Sequence, residues 1–202
     1  MKLYYAAGAC SLSPHIVLRE SGLPFDLVPA DLKTHQLADG SDYYGVSPKG
    51  YVPLLELDRG ERLSEGPAIV QYIADLVPAK NLAPANGTMA RYRVQEWLNF
   101  ITSELHKGIG GLFNPAMPEG YRPAVKDRAL GRLKWVNEQL EGKQYLMGDS
   151  FSVADAYLFT VANWTQFVGI DRSGLVNLGA FMGRMAARPA VQEALRAEGL
   201  LK

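Results

Sequence analysis

The feature of this sequence that most constrains its fold is a change of residue pattern near position 80. Before that point, short apolar runs alternate with turn residues. Residues 78–87 read Pro-Ala-Lys-Asn-Leu-Ala-Pro-Ala-Asn-Gly, and the two prolines, the glycine and the polar residues interrupt any periodicity. Beyond residue 88 the apolar spacing is helical. We therefore predict two domains, one over 1–80 and an all-helical one over 88–202.

The first domain combines strands and helices. Two apolar runs flank Asp58-Arg59-Gly60, which indicates a hairpin. A helix near its start has Pro14 in the first turn and Gly22 just past the end, both favoured positions. The predicted strands cover 3–7, 25–29, 52–57 and 61–63, and the predicted helices cover 11–20 and 65–76. This order indicates an α+β domain with a small mixed sheet.

The second domain contains only helical patterns. Ser152 followed by Asp155 resembles a capping box, with Asp in place of the usual Glu or Gln, and predicts the start of a buried helix. The predicted helices cover 89–113, 121–140, 153–168, 175–187 and 190–198.

Composition and charge narrow the function classes. Lys+Arg and Asp+Glu each number 21, so the formal net charge is zero, whereas a nucleic-acid binder usually has a basic excess. The first residues lack a signal-peptide pattern, and no stretch approaches the roughly 18 apolar residues of a spanning helix. The single cysteine excludes an intramolecular disulfide, and three scattered histidines lack metal-ligand spacing. We expect a reduced cytoplasmic protein that binds no nucleic acid, membrane or metal.

Cys10 is the first candidate for chemistry. It lies between a predicted strand and the start of a helix, where free N–H groups and the helix dipole favour a thiolate. Ser13 occupies the position of the second cysteine in a C-x-x-C pair, so disulfide chemistry at Cys10 needs an external thiol. A small buried hydrophobic residue is the alternative interpretation, and the local sequence leaves both open.

Two further segments of the first domain carry possible binding groups. Pro53 opens a strand and is either an edge-strand proline or, in a thioredoxin-like domain, a cis-proline that lets the Val52 main chain pair with a peptide ligand. Ser64 is a natural N-cap for the next helix. The start of that helix suits a carboxylate, and Glu65 suits an ammonium group, so together they suit an α-amino acid.

A polar stripe follows the first helix of the second domain. Asn99, Ser103, His106 and Gly110 are spaced to share one helical face. Such a stripe is usually a solvated surface, although His106 suits proton transfer near neutral pH.

The combination of these segments resembles the soluble glutathione transferases of the bacterial beta class. The matching residues are Tyr-Tyr-Ala-Ala-Gly-Ala-Cys10-Ser11-Leu12-Ser13, Ser47-Pro48-Lys49-Gly50-Tyr51-Val52-Pro53, Glu65-Gly66-Pro67-Ala68-Ile69-Val70-Gln71-Tyr72, and the Ser-Val-Ala-Asp cap near Tyr157. Cys10 with His106-Lys107 distinguishes the beta class from classes that use Tyr or Ser. The resemblance implies a thioredoxin-like N-terminal domain followed by an all-α C-terminal domain.

The resemblance also implies site residues. Cys10 and His106 are the implied catalytic groups, with Cys10 beside the glutathione sulfur. The implied glutathione-binding residues are Tyr5, Ser11, Val52 with cis-Pro53, Glu65, Gly66, Lys107, and Asn99 and Glu104 of the partner subunit. The implied electrophile pocket comprises Phe113, Tyr157 and Trp164. Two positions depart from the family pattern: Gly66 replaces a frequent Ser, and His35 stands where a Lys often meets the glycyl carboxylate.

The function implied is detoxifying transfer of glutathione to a hydrophobic electrophile by a homodimer, with glutathione as co-substrate and no permanently bound cofactor. Glutathione-dependent thiol-disulfide exchange through Cys10 is a second activity. A non-enzymatic ligand-binding protein of the same fold is the alternative.

Overall fold

A computed structural model describes residues 1–201. The chain divides into two compact units. Unit 1 comprises Met1–Ala83 together with the segment that starts at Arg188, and unit 2 comprises Pro84–Ala187.

Unit 1 is built on a five-stranded mixed sheet. The strands are β1 (Lys2–Tyr5), β2 (Asp26–Asp31), β3 (Gln36–Leu37), β4 (Leu54–Glu56) and β5 (Arg62–Ser64), in the order β3-β2-β1-β4-β5. Strands β1 and β2 are parallel, and the other pairs are antiparallel. The mixed sheet and the β4–β5 hairpin confirm the α+β prediction.

The two helices predicted in unit 1 are present, and the signals at their ends are only partly confirmed. Helix α1 (Leu12–Ser21) ends at Gly22, which has the left-handed conformation expected of a helix C-terminus. Helix α2 (Gly66–Leu76) begins one residue later than predicted. Ser64 is not its N-cap, because Ser64 pairs with Leu54 as the last residue of β5. The N-cap is Glu65, with a φ of +71°.

Unit 2 is helical, as predicted. Its helices are α3 (Met89–Phe100), α4 (Lys107–Gly111), α5 (Arg122–Gln139), α6 (Val153–Asn163), α7 (Thr165–Val168) and α8 (Val176–Ala186). The capping box that the sequence predicts at Ser152 and Asp155 is present at the start of α6. The predicted helix over 153–168 is divided between α6 and α7.

The predicted helix over 89–113 contains a π-helical turn. This turn covers Ile101–His106 and joins α3 to α4. The Lys107 N–H donates to the Thr102 carbonyl five residues earlier. Two hydroxyls bond to carbonyls four residues back, Thr102 to Leu98 at 2.8 Å and Ser103 to Asn99 at 3.1 Å. Such side-chain bonds compete with the α-helical amide ladder, which explains the change of winding here.

The last helix, α9 (Pro189–Ala197), belongs to unit 1, whereas the sequence placed 88–202 in one helical domain. Helix α9 packs on α1. Arg188 donates from Nε and Nη2 to the Glu20 carboxylate at 2.7 and 3.0 Å. The Glu198 carboxylate meets His15 Nδ1 at 2.8 Å and the Gly8 N–H at 2.9 Å. These contacts join residues far apart in sequence, which residue periodicity does not show.

Within residues 1–201, no helix is both long enough and apolar enough to cross a membrane.

Candidate active site

Cys10 lies in the loop between β1 and α1, as predicted. Its Sγ donates to the Val52 carbonyl oxygen at 3.1 Å. The side chain is half-buried, so the sulfur is neither sealed in the core nor fully exposed. Ser13, at the second-cysteine position, is buried, and its Oγ has no hydrogen-bond partner among the described residues. The structure thus joins Cys10 to the Val52-Pro53 segment.

The peptide bond between Val52 and Pro53 is cis. Of the two interpretations that the sequence left open, the structure has the cis-proline. Pro53 is also close to the start of α2, because a Cβ placed on Gly66 would lie 3.9 Å from Pro53 Cγ. The backbone beside the sulfur and the N-terminus of α2 are therefore close neighbours in unit 1.

Ser11 and Tyr5 support the Cys10 loop. The fully buried Ser11 hydroxyl donates to the Ala6 carbonyl at 3.1 Å and accepts the Ala6 N–H at 3.2 Å. Its one proton is therefore used within the loop, so in this structure the Ser11 hydroxyl, which the resemblance counts among the glutathione-binding groups, donates to the Ala6 carbonyl instead. Tyr5 lies at the end of β1, and burial, together with the nearby Glu198 carboxylate, raises its pKa above the usual 10.0. Its phenol therefore stays protonated at neutral pH.

Glu65 pairs with a residue to which sequence reasoning gave no role. Lys49 Nζ donates to Glu65 Oε1 at 2.8 Å, and it lies 3.4 Å from Ser64 Oγ. Both charged side chains are more than half exposed, so the pair contributes little to stability. The pair instead brings a cation and a carboxylate to the start of α2, where the first N–H groups lack helical partners. The one sequence feature that could have indicated this role is the position of Lys49 in the turn before Pro53.

His35 lies in the same unit, close to the turn that carries Lys49. Its backbone has a φ of +54°, and its ring is 4.5 Å from the ring of Tyr44. Its Nδ1 is buried and has no hydrogen-bond partner within the described part of the chain. A Cβ on Gly50 would approach this ring to 3.0 Å.

In unit 2, the structure brings His106 together with all three residues of the predicted electrophile pocket. His106 Nδ1 is 2.6 Å from the Tyr157 hydroxyl, and its ring lies 4.9 Å from the ring of Trp164. The Phe113 ring stands 6.0 Å from Trp164 in an edge-to-face arrangement. Tyr157 and Trp164 are buried, whereas Phe113 is half-exposed. The cluster therefore has an aromatic wall that holds two titratable groups, the His106 imidazole and the Tyr157 phenol.

Glu104 and Lys107 line a different surface of unit 2. Together with residues of α5 they border a groove of about 520 Å³ that does not include His106. Glu104 accepts a hydrogen bond from Arg132 Nε at 2.7 Å, and Asn99 is exposed one turn earlier. Ser103 of the predicted stripe also lines this groove, whereas His106 and Gly110 lie together on the other surface. The stripe is thus divided between two surfaces, because the π-turn changes the angle between successive side chains.

Within residues 1–201, no three His, Cys, Asp or Glu side chains come together in a way that would hold a metal ion.

Comparison with known proteins gives matches to both units. The model of the glutathione S-transferase N-terminal domain matches residues 7–76, and the model of the C-terminal domain matches residues 100–189. The chain is 51% identical to glutathione S-transferase GstA of Escherichia coli O157:H7 over 200 residues, covering 99% of this chain and 100% of the relative.

Solved structures show the same fold along the whole chain. A bacterial beta class glutathione S-transferase from Sphingomonas chungbukensis is 47% identical with a TM-score of 0.96, covering 100% of both chains. A sphingomonad glutathione S-transferase complexed with glutathione is 46% identical with a TM-score of 0.95, covering 99% of this chain and 100% of that one. These matches confirm the thioredoxin-like and helical domain pair and the likeness to the beta class.

Proposed function

The chain belongs to the glutathione S-transferase family, and on that basis we propose that this transferase joins the sulfur of glutathione to hydrophobic electrophiles. The 51% identity to a named glutathione S-transferase over nearly the whole chain favours an enzyme over a non-enzymatic ligand-binding protein. A similar sphingomonad structure was solved with glutathione, which supports glutathione as co-substrate here.

The observation that carries this proposal is the 3.1 Å contact between Cys10 Sγ and the Val52 carbonyl, directly before cis-Pro53. A tripeptide can pair its main chain with an exposed strand end, as peptide ligands do in strand addition. In this proposal the cysteinyl unit of glutathione pairs with the Val52 main chain, and its sulfur lies beside Cys10.

The start of α2 would hold the γ-glutamyl end of glutathione. That end carries both an ammonium and a carboxylate group. Glu65 suits the ammonium, while Lys49 and the Gly66 amide suit the carboxylate. His35 would meet the glycyl carboxylate.

Conjugation needs the thiolate of glutathione. A free thiol with a pKa of about 8.5 is only a few per cent ionised at pH 7. A pKa about two units lower makes the thiolate the major form and raises its concentration more than tenfold. In this proposal His106 favours the anionic sulfur, whereas Lys107, which lines the groove beside α5, is not assigned to it. The Phe113–Tyr157–Trp164 cluster binds the electrophile. The sulfur then attacks its carbon and displaces the leaving group, so that with a chloronitrobenzene the C–S bond forms as the C–Cl bond breaks and chloride is released.

A second activity is favoured by the position of Cys10. Its thiolate would attack the glutathionyl sulfur of a mixed disulfide, release the other thiol and form a Cys10–glutathione disulfide. A second glutathione would then attack this bond, giving glutathione disulfide and restoring the Cys10 thiolate. The absence of any other cysteine from the sequence makes glutathione the resolving thiol.

We also propose a cytoplasmic homodimer. The bacterial family and the lone cysteine support a reducing compartment. In the dimer, Asn99 and Glu104 of the partner subunit would extend the γ-glutamyl site.

Paired steady-state assays of wild type and Cys10→Ala test the proposal. One substrate is glutathione with a chloronitrobenzene, and the other is glutathione with a glutathionylated disulfide. We expect Cys10→Ala to abolish disulfide turnover and to retain conjugation, because conjugation uses the sulfur of glutathione itself. Calorimetry on both proteins provides the control, since glutathione binding should remain. A wild type that binds glutathione but turns over neither substrate would refute the enzymatic function.

A further inference from the structure

The hydrogen bond between His106 and Tyr157 stands out in unit 2 by its length. Nδ1 of the imidazole is 2.6 Å from the phenolic oxygen, shorter than most N···O hydrogen bonds. Tyr157 lies in α6 and is 3% exposed. A hydrogen bond this short holds the His106 imidazole in a fixed position relative to the buried Tyr157 hydroxyl.

The surrounding groups indicate which atom carries the proton. Thr102 Oγ1 donates to the Leu98 carbonyl at 2.8 Å, and it lies 3.4 Å from the Tyr157 oxygen. Because a threonine hydroxyl has one proton, the shorter bond to Leu98 uses it. A phenol is a better donor than a neutral imidazole, and an imidazole nitrogen is a better acceptor than a phenol. The Tyr157 O–H therefore donates to His106 Nδ1, which leaves the proton of the neutral ring on Nε2.

Two other contacts hold the plane of the imidazole. The Trp164 ring stands edge-to-face with it, at an interplanar angle of 72°. Gly110 backs its other edge, since a Cβ at Gly110 would lie 3.4 Å from His106 Cδ2 and 4.0 Å from Nε2. The ring is thus fixed by a hydrogen bond at Nδ1 and by packing along the Cδ2–Nε2 edge.

We propose that Tyr157 is a positioning residue for His106, beyond its assignment to the electrophile pocket. It selects the tautomer in which Nε2–H is the donor. Such a donor stabilises the anionic form of a nearby thiol without itself carrying a charge. The role in turnover rests on the proposed glutathione transfer, whereas the tautomer assignment rests only on unit 2.

The direct test is the nitrogen NMR signature of the His106 imidazole in uniformly 15N-labelled protein at pH 8.5, where free histidine is neutral. His106→Gln identifies the signals of His106 among those of the three histidines. In wild type we expect a protonated Nε2 and an unprotonated Nδ1. A wild-type ring protonated at Nδ1 would overturn the proposal without the use of any Tyr157 variant.

Tyr157→Phe then removes only the hydroxyl, and Tyr145→Phe makes the same change at another buried tyrosine of unit 2. We expect Tyr157→Phe to give a mixture of tautomers and a kcat for conjugation about tenfold lower, with an unchanged Kd for glutathione. Tyr145→Phe should keep the wild-type tautomer and kcat. An unchanged tautomer in folded Tyr157→Phe would overturn the proposal. A wild type without conjugation activity would refute the proposed function instead, and the NMR result would still decide the role of Tyr157.

Discussion

Gly50 lies between Lys49, which pairs with Glu65, and the segment that leads to cis-Pro53. Its backbone φ is +65°, a conformation that side chains rarely allow. A Cβ at this position would come within 2.7 Å of Tyr44 Cε1 and 3.0 Å of the His35 ring. Both the backbone angle and the close neighbours therefore require glycine here.

Gly50→Ala should lower the stability of unit 1 and weaken glutathione binding. Left-handed backbone costs about 1–2 kcal/mol for a residue with a Cβ, and the contact with Tyr44 adds to it. The matched control is Gly60→Ala, whose φ of +84° carries the same strain without any heavy atom within 4 Å. Urea unfolding and calorimetry with glutathione measure the two effects. Equal losses in both variants would show that the contacts with Tyr44 and His35 are unimportant.

The residues of the candidate site differ in how well the sequence alone predicted their positions and contacts. Cys10 at the strand-to-helix junction was predictable, because its place follows from local patterns. The cis bond before Pro53 was one of two open interpretations, since the sequence alone favours an ordinary edge-strand proline. The pairing of Lys49 with Glu65 was not predictable, because it depends on how the turn and the start of α2 meet in space.

Asp155 stabilises a single element, helix α6, through its side chain. Its side chain is fully buried at the start of α6. Oδ2 accepts the Ser152 N–H at 2.7 Å and the Ser152 hydroxyl at 2.9 Å, and Oδ1 accepts the Leu146 N–H at 2.8 Å. One carboxylate therefore caps the helix and fixes the preceding loop.

Asp155→Ala should destabilise the protein by about 3 kcal/mol, because it removes a cap and leaves two buried backbone N–H groups without an acceptor. Asp149→Ala, at an exposed position just before α6, is the control and should change stability by less than about 0.5 kcal/mol. The free energy of unfolding in urea measures both. A wild-type value for Asp155→Ala would mean that the capping box does not stabilise α6.

The helices of unit 2 were predictable in place better than in number, because two of the predicted helices are each divided into two. Apolar spacing gave the segments now seen as α5 and α8 to within one residue at each end. The same 3.6-residue period placed Asn99, Ser103 and His106 on one face. The π-turn changes that period locally, so His106 contacts Tyr157 whereas Ser103 and Glu104 line the α5 groove. The composition of the helix did not reveal this change of winding.

At the scale of the whole molecule, the chain returns at its end to the unit in which it began. The Glu198 carboxylate, which is fully buried, receives the Gly8 N–H and contacts the buried His15 ring. Leu200 lies beside Gly8 as well, 3.7 Å from where a Cβ would stand. The final segment therefore supports the loop that leads to Cys10, although about 190 residues separate them in sequence.

Glu198→Ala should destabilise unit 1 by about 2–4 kcal/mol and loosen the Gly8–Cys10 loop. The reason is that the Gly8 N–H and the His15 Nδ1 would both lose their buried partner. Glu193→Ala, at an exposed position of α9, is the matched control. Hydrogen exchange at the Gly8 amide reports the local effect, and urea unfolding reports the global one. If exchange at Gly8 is faster but the unfolding free energy is unchanged, Glu198 supports only the loop. If exchange at Gly8 stays at the wild-type rate, Glu198 does not support the loop.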